Sequence, residues 1–321
     1  MAQGTRPYSW GTLVSVACGL VRAHEDRVDR RTDGSTNTVV PSDRMSGVSI
    51  LILTLNEETN LGECIDSCAW SDDIVVFDSI SADRTREIAC ARGARVIERG
   101  FDNYAAQRNA ALTSVAYAHP WVLMVDADER VPTDLAAEIE SRVAAADPGT
   151  VMFRMRRRDF FLGKWLKRSS GYPTWFGRLV RVGHVRVERE VNEEFVPDGA
   201  VHQLTAHLHH YPFNKGIAYW YQRHNRYSSM EALEKLKSRD DPVALRGLVS
   251  SDPFARRRTL KQIGYRLPLR PLVMFLYLYV VRLGMLDGRA GCYFSLMRAA
   301  YEMSIDLKVV EARRRQLGLP V

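Results

Sequence analysis

The sequence predicts an α/β protein with a doubly wound, mainly parallel sheet and a C-terminal helical extension. Short apolar runs alternate with longer helical stretches over the first half of the chain, a pattern typical of parallel strands joined by right-handed helical crossovers. Polar residues cluster directly after these runs, at the sheet edge where α/β proteins bind ligands. From Pro253 to Leu286 the chain is basic and apolar and contains no acid.

Four apolar runs bounded by turn-forming residues are the predicted strands: Val48–Thr54, Asp73–Phe77, Arg95–Ile97 and Trp121–Val125. Helices are expected between and after them, from the residues following Glu58 to about Trp70, and over Ser81–Ala91, Tyr104–Val115 and Asp134–Val143. The alternation implies that consecutive strands pair in parallel within one sheet.

Composition and patterning divide the chain into three predicted regions. Residues 1–46 show no sustained periodicity, and their apolar patch, Trp10–Val21, is shorter than a membrane span and lacks a cleavage site, so we expect a poorly ordered extension. Residues 47–238 are the predicted α/β domain, and residues 239–321 a helical region. A 26% charged content is ordinary for a globular protein, and much of the net charge of +7 lies near the C-terminus.

Polar side chains follow three of the four predicted strands. They are Thr54, Asn56 and Glu57 after the first strand, Asp78, Ser79, Ser81 and Asp83 after the second, and Asp126 and Asp128 after the fourth. Individually these residues could serve only as helix caps or turn formers. Together they favour a nucleotide-type ligand, although the sequence contains no glycine-rich phosphate loop.

The segment Asp126-Ala127-Asp128-Glu129 directly follows the most apolar strand. Two carboxylates one residue apart at a sheet edge suit a divalent cation on a diphosphate, because hard oxygen ligands hold Mg²⁺ or Mn²⁺ while the phosphates complete the shell. The alternative interpretation is a solvated turn before the next helix.

These motifs in their order resemble the signatures of family 2 glycosyltransferases. The resemblance rests on Thr54–Glu58, on Ile74–Phe77 followed by Asp78–Thr85, on Gln107-Arg108-Asn109 and on Asp126–Glu129. Within the family, the chain is most similar to the bacterial branch that includes the lipopolysaccharide-core glucosyltransferases. The likeness runs from about Val48 to Leu208, with Ile80 where glycine is common and Ala82 where threonine is common.

The resemblance implies a GT-A fold that passes a sugar, with inversion, from a nucleotide-diphosphate sugar to a hydroxyl of a glycan or lipid-linked acceptor in cell-envelope polysaccharide synthesis. It implies a donor site made of Thr54, Asn56, Glu57, Asp78, Ser81, Asp83, Gln107, Asn109, Asp126 and Arg181, with Arg178 as the alternative to Arg181 at the diphosphate. Asp78 would meet the base, Asp126 would lie toward the ribose and the metal, and Asp128 would ligate Mg²⁺ or Mn²⁺ and so act in catalysis.

Inverting transfer also needs a base on the acceptor side. The segment Glu188–Phe195 resembles the family's Val-His-Glu segment with Asn192 in place of histidine, which makes Glu193 the candidate catalytic base and Glu194 the next choice. The alternative is that these acids are solvated charges on a surface loop.

The C-terminal region combines charge and hydrophobicity. Six cations precede the apolar run Pro271–Val281, namely Arg256, Arg257, Arg258, Lys261, Arg266 and Arg270. The run is too short to span a bilayer, and its basic flank fits a helix lying on an anionic membrane surface. With the resemblance, this predicts a cytoplasmic enzyme peripheral on the inner face of the plasma membrane. An ordinary packed helix is the alternative.

Two other functions share parts of the pattern. Phosphatases of the haloacid-dehalogenase type also place two aspartates after an apolar strand, but they want Thr or Val two residues beyond the second acid, where Arg130 stands here. A basic nucleic-acid-binding module is compatible with Arg154–Arg158, Lys164, Lys167 and Arg168 interleaved with aromatic residues. The same stretch would also suit a loop over a phosphorylated acceptor, and we expect no nucleic-acid partner.

Overall fold

The computed structural model describes residues 14–16, 47–188, 194–237, 249, 256, 259, 263–264 and 269–321. The chain forms two compact units: Met1–Arg157 with Trp175–His209 make the first, and Arg158–Thr174 with His210–Val321 make the second. The region boundaries predicted from the sequence, at 46/47 and 238/239, stay predictions. The two compact units are divided differently from the predicted regions, because Arg158–Thr174 belongs to the same unit as the C-terminal helices.

The strands of the first unit lie in a mainly parallel mixed sheet. In chain order they are β1 (Val14–Val16), β2 (Val48–Thr54), β3 (Ile74–Asp78), β4 (Arg95–Glu98), β5 (Trp121–Asp126), β6 (Glu129–Arg130), β7 (Thr150–Phe161), which ends in the second unit with β8 (Lys164–Trp165), then β9 (Trp175–Arg181), β10 (Val185–Glu188), β11 (Glu194–Pro197) and β12 (Ala200–His210). The sheet order is β1-β4-β3-β2-β5-β9-β7-β12-β6, with β8 on β7, while β10 and β11 form a separate hairpin.

The central four strands, β4-β3-β2-β5, are parallel, as the sequence predicts. Antiparallel pairs follow on both sides, with β9 on β5 and β1 on β4. The strand β1 falls within the extension that we expected to be poorly ordered, and the rest of residues 1–46 lies outside the described part of the chain.

Helices cover both faces of this sheet. They are α1 (Leu61–Ser67), α2 (Thr85–Ala91), α3 (Tyr104–Ser114) and α4 (Thr133–Ala144). Residues of β2 alternate between the two cores: Ile50 and Ile52 pack with α1, α2 and α4, whereas Leu51 packs with α3. Burial on both faces explains why the strands are continuously apolar, and it confirms the doubly wound arrangement.

Strand register brings the polar clusters together. Thr54 at the end of β2 is paired with Asp78 at the end of β3, and Leu53 is paired with Asp126 at the end of β5. Because parallel strands end at a common edge, the residues that follow β2, β3 and β5 meet there.

The second unit contains the helical region. Its helices are α5 (Ile217–Lys237), α6 (Arg270–Leu276) and α7 (Gly288–Gln316), with a π-helical turn at Tyr277–Val281 and a 3₁₀ turn at Gly284–Asp287. Phe161, Leu166, Trp220, Ala290 and Met297 form its main core. The predicted C-terminal helical region is therefore confirmed.

Within the described residues, no one helix has both the length and the hydropathy to cross a bilayer. Two helical segments, Arg270–Val281 and Gly284–Gln316, have the length and composition of a membrane span only when taken together, and they are bent by 72° relative to each other.

Candidate active site

The side chain of Asp78 is completely buried at the shared edge of β2 and β3. Its Oδ1 accepts hydrogen bonds from Thr54 Oγ1 at 2.7 Å and from Ser81 Oγ at 2.5 Å. Its Oδ2 accepts one from the backbone N–H of Ser81 at 2.7 Å. Three donors therefore fix this carboxylate and close the turn after β3 around it.

The loops after β2 and β3 are tied to each other. The Asn56 N–H donates to Ser81 Oγ and the Ala82 N–H donates to Asn56 Oδ1, both at 2.8 Å. The Glu57 N–H donates to Thr85 Oγ1 at 2.7 Å, and the Glu58 N–H donates to Asp83 Oδ2 at 3.1 Å. The predicted donor-site residues of these loops thus also shape the loops through side-chain and backbone hydrogen bonds.

The structure shows the backbone conformation at Ile80, where the family commonly has glycine. Ile80 has a φ of 60°, in the left-handed region that glycine adopts without strain and that a β-branched residue avoids. The residue is 59% exposed, so burial offsets little of the strain of this conformation. The turn after β3 therefore keeps the glycine-type backbone although its residue is isoleucine.

At the end of β5, Asp126 lies between two buried arginines. Arg108 Nη2 donates to Asp126 Oδ1 at 3.0 Å, and Arg178 Nη2 donates to Asp126 Oδ2 at 2.5 Å. Burial on its own raises the pKa of Asp126, but the guanidinium groups of Arg178 and Arg108 outweigh it and hold the pKa well below its ordinary range. This carboxylate is therefore ionised at any physiological pH.

Glu129 completes this cluster. It is fully buried, its Oε2 accepts the Asp126 N–H at 2.9 Å, and its Oε1 accepts from Arg178 Nη2 at 2.9 Å. Arg157 Nη1 also lies 3.5 Å from that oxygen. Three guanidinium groups thus face the carboxylates of Asp126 and Glu129 and are held at this strand end by charge-assisted contacts.

Asp128 is partly buried in the turn that follows Asp126. No group of three or more His, Cys, Asp or Glu side chains in the described residues is placed to hold a metal. A carboxylate that shares a cation with a diphosphate does not need such a group, because Mg²⁺ is commonly bound by one or two carboxylates together with substrate phosphates and water. Asp128 is a carboxylate of this type in the turn after β5, and both oxygens of Asp126 accept hydrogen bonds from arginines.

Helix α3 carries two further predicted residues. Gln107 is buried, and its Nε2 donates to Ser79 Oγ at 3.0 Å while its Oε1 accepts from Arg99 at 2.5 Å. Asn109 points elsewhere: its Nδ2 donates to the Val187 carbonyl at 2.7 Å and its Oδ1 accepts the Val187 N–H at 2.8 Å. Asn109 therefore fastens β10 to α3.

Three comparisons with known proteins place this geometry in context. The sequence model of "Glycosyl transferase family 2" matches residues 49–196. The lipopolysaccharide core biosynthesis glycosyltransferase LpsC of Rhizobium meliloti is 30% identical over 206 residues, which cover 61% of this chain and 74% of that protein. This chain belongs to glycosyl transferase family 2.

Other matches are shorter. An uncharacterized glycosyltransferase of Rickettsia typhi is 36% identical over 97 residues, covering 30% of this chain and 32% of that protein. Glucosyl-3-phosphoglycerate synthase of Mycobacterium tuberculosis, solved with Mn²⁺, uridine diphosphate and glucosyl-3-phosphoglycerate, is 23% identical with a TM-score of 0.30, covering 35% of this chain and 44% of that chain.

Membership in family 2, together with the mainly parallel sheet, confirms the predicted GT-A fold and the nucleotide-sugar glycosyltransferase function. It also decides against the phosphatase and the nucleic-acid-binding module.

A second predicted donor-site residue of this family 2 glycosyltransferase, Arg181, also lies away from this edge. Arg181 is paired with Trp121 at the opposite end of β5, and its guanidinium lies 5.0 Å from the Trp121 ring centre. Five residues separate Trp121 from Asp126, or about 16 Å along a strand. Placing Arg181 at the diphosphate was therefore wrong, and Arg178 is the arginine of β9 that reaches Asp126.

Sequence reasoning did not single out Arg108, Arg157 or Glu129 as members of this cluster. Arg178 carried a usable signal, because an arginine between Gly177 and Leu179 in an otherwise buried strand needs an ionic partner. The catalytic candidate Glu193 lies outside the described residues, while Glu194 begins β11 and is paired with Glu188 of β10.

Proposed function

We propose that this glycosyltransferase moves a sugar, with inversion, from a nucleotide-diphosphate sugar to a hydroxyl of a glycan or lipid-linked acceptor in cell-envelope polysaccharide synthesis. The observation that carries the donor side is the shared edge where Thr54 and Asp78 meet Asp126. The envelope acceptor is supported by the Rhizobium meliloti relative, a lipopolysaccharide core enzyme of which this chain covers 74%.

The nucleoside is proposed to lie over the tied loops after β2 and β3, against Thr54, Glu57 and Asp78. Asp78 Oδ2 accepts one hydrogen bond, from the Ser81 N–H, and a carboxylate oxygen has capacity for a second. Because Asp78 is completely buried, the turn after β3 must open for an N–H of the base to reach it. Asn56, Ser81 and Asp83 would hold the loop around it, and Gln107 would fix the Ser79 turn.

The diphosphate is proposed to lie at the end of β5. A divalent cation, Mg²⁺ or Mn²⁺, held by Asp128 would stabilise the charge of the leaving diphosphate. Arg178 and Arg108 supply fixed positive charge there, and Asp126 orients both guanidinium groups. Such preorganised charge lowers the barrier because it needs no reorganisation as the sugar–phosphate bond breaks.

The acceptor hydroxyl is proposed to lose its proton to the carboxylate of Glu193. The acceptor oxygen then attacks the anomeric carbon from the face opposite the diphosphate. As the new C–O bond forms, the bond to the phosphate oxygen breaks, and its electron pair leaves with the nucleoside diphosphate. The choice of Glu193 is supported by the family resemblance of its segment, and Asn109 ties the preceding strand β10 to the helix that carries Arg108.

The donor is tested by thermal unfolding in Mn²⁺ with a panel of nucleotide sugars, because a ligand that binds the native state raises the melting temperature. One nucleotide sugar is expected to give a metal-dependent increase. The absence of an increase with every donor would contradict the proposal.

The base is tested by Glu193→Gln, with Glu194→Gln as the matched control. General-base catalysis contributes about 10²–10⁴-fold, so Glu193→Gln is expected to lower kcat by that factor while the donor-induced thermal shift persists. A large loss in Glu194→Gln alone would move the base by one residue. Full activity in both variants would exclude this segment as its source.

We also propose that the enzyme works in the cytoplasm, peripherally on the inner face of the plasma membrane. Helix α6 has no fully buried residue, which supports an exposed apolar surface. The predicted basic flank needs one correction: Arg270 forms an ion pair with the buried Glu302 and is not available to lipid. Arg257, Arg258, Lys261 and Arg266 lie outside the described residues.

A further inference from the structure

The second unit has an open cavity of about 400 Å³ with a basic lining. Its walls are Lys164, Trp165, Lys167, Arg168, Leu286 and Asp287. Lys164, Lys167 and Arg168 are exposed. The concentration of cations in a concave surface favours a ligand that carries a phosphate or another compact anion.

Asp287 holds the wall of this cavity together through hydrogen bonds. Its side chain is buried, and its Oδ2 accepts hydrogen bonds from the Arg168 N–H, the Ser169 N–H and the Ser169 hydroxyl, each at 2.9 Å. These bonds fasten the basic segment to the 3₁₀ turn at Gly284–Asp287. The acid therefore holds the backbone of the basic segment in place, and Lys164, Lys167 and Arg168 stay exposed.

Trp165 gives the cavity an amphipathic wall. The Arg158 guanidinium lies 4.7 Å and the Lys167 ammonium 5.4 Å from its ring centre, and the Tyr172 ring packs edge-on at 5.1 Å. Tryptophan is enriched at the level of lipid head groups, and the cations beside Trp165 suit the phosphates at that level.

Exposed apolar side chains lie next to the cavity on the β7–β8 hairpin and on the 3₁₀ turn. Leu162, at the tip of the β7–β8 hairpin two residues before Lys164, is 63% exposed, and Leu286 in the cavity wall is 61% exposed. Val281, Leu283 and Met285, which precede Leu286, are also exposed. Exposed leucines beside a basic cavity are typical of a surface that binds a membrane interface. Binding of a soluble phosphate compound would not require these exposed leucines.

We infer that this cavity binds the phosphate head groups of anionic phospholipids and seats the second unit on an anionic bilayer. Lys164, Lys167 and Arg168 receive the phosphate, and Trp165 lies at the head-group level. Leu162 and Leu286 enter the acyl boundary. The inference deepens the membrane contact of the proposed function by assigning it a site and a head-group chemistry.

The test measures binding of the full chain to vesicles of phosphatidylcholine alone and with phosphatidylglycerol. The variant Lys164→Glu, Lys167→Glu, Arg168→Glu is compared with Arg313→Glu, Arg314→Glu, Arg315→Glu, which changes the net charge equally at the end of α7. Each cation near an anionic surface contributes about fivefold to partitioning, so loss of the three cations, before any repulsion from the new glutamates, is expected to weaken binding at least about a hundredfold. An equal loss in the control variant overturns the inference, since total charge would then explain binding.

Two further measurements separate a bilayer from a soluble phosphate. Trp165→Phe is expected to remove the blue shift in tryptophan fluorescence that anionic vesicles produce, and Leu162→Ser with Leu286→Ser to weaken vesicle binding. If glycerol 3-phosphate without vesicles produces the same Trp165-dependent shift, or if the leucine variant binds vesicles as wild type does, the bilayer is overturned as the ligand.

The metal-dependent thermal shift with nucleotide sugars is recorded for every variant. Since the vesicle-binding residues lie outside the donor site, this shift is expected to be unchanged. Loss of vesicle binding with an intact donor response tests the lipid site alone. A wild-type protein that binds vesicles and no donor would contradict the proposed function without affecting the lipid site.

Discussion

The two aspartates after β5 are expected to respond in opposite ways to the same isosteric change. Asp126→Asn removes the negative charge between Arg108 and Arg178, whereas Asp128→Asn removes the proposed metal ligand. The first variant should lose stability, and the second should lose metal-dependent donor binding.

The size of the Asp126 effect follows from its contacts. Asp126 accepts charge-assisted hydrogen bonds from two guanidinium groups, and each is typically worth about 1.5–3 kcal/mol. The side chain is one-third exposed and asparagine keeps one acceptor oxygen, so solvent screening reduces the expected loss to about 2–3 kcal/mol. For a chain of 321 residues, with an unfolding entropy of about 2.1 cal/mol/K per residue, that lowers the melting temperature by about 3–5 °C.

Differential scanning calorimetry with and without Mn²⁺ and the preferred nucleotide sugar measures both effects. Asp128→Asn is expected to melt within about 2 °C of wild type without ligand and to show no metal-dependent increase. If Asp126→Asn has the same melting temperature as wild type, the negative charge of Asp126 does not stabilise the fold through Arg108 and Arg178. If Asp128→Asn keeps its metal-dependent increase, the metal assignment is wrong.

Three other substitutions test features of the two units. Ile80→Gly is expected to raise the free energy of unfolding by about 0.5–1 kcal/mol in urea titrations, since relief of the left-handed strain exceeds the entropic cost of glycine; Ile80→Val, still β-branched, should give no gain. Asn109→Ala should cost about 2 kcal/mol and speed amide exchange in β10 without preventing donor binding; unchanged exchange with lost donor binding would make Asn109 a ligand residue. Burial, assisted by the positive charge of Arg298, lowers the pKa of His224 to about 4. Between pH 6.5 and 4 the unfolded state therefore takes up a proton that the folded state does not, stability falls as the pH drops, and His224→Gln should flatten this dependence in melting curves; identical pH profiles would refute it.

The parallel half of the sheet could be predicted because its signals are local. Apolar runs such as Val48–Thr54 are bounded by turn residues, and the parallel order then brings Thr54, Asp78 and Asp126 to one edge. The arginine cluster could not be predicted in full, because it depends on pairing between distant segments.

Arg157 shows this dependence most clearly. It reaches Glu129 from β7, whose register with β9 shifts between Phe153 and Arg154, and such an irregularity cannot be read from spacing. The prediction that Arg270 belongs to a membrane-binding basic segment was wrong for a similar reason. Its partner, Glu302, lies 32 residues further along the chain, so the sequence alone shows Arg270 as one more cation of that segment.

The three consecutive residues Gln107, Arg108 and Asn109 fasten α3 to three different segments. They contact Ser79 after β3, Asp126 at the end of β5 and Val187 in β10, since successive side chains project about 100° apart around a helix. This arrangement constrains redesign of acceptor preference. A hairpin transplanted from a relative must offer a backbone amide group to Asn109, or the graft will lose its alignment with the donor. Conversely, deleting one residue in the first turn of α3 would misalign all three attachments at once.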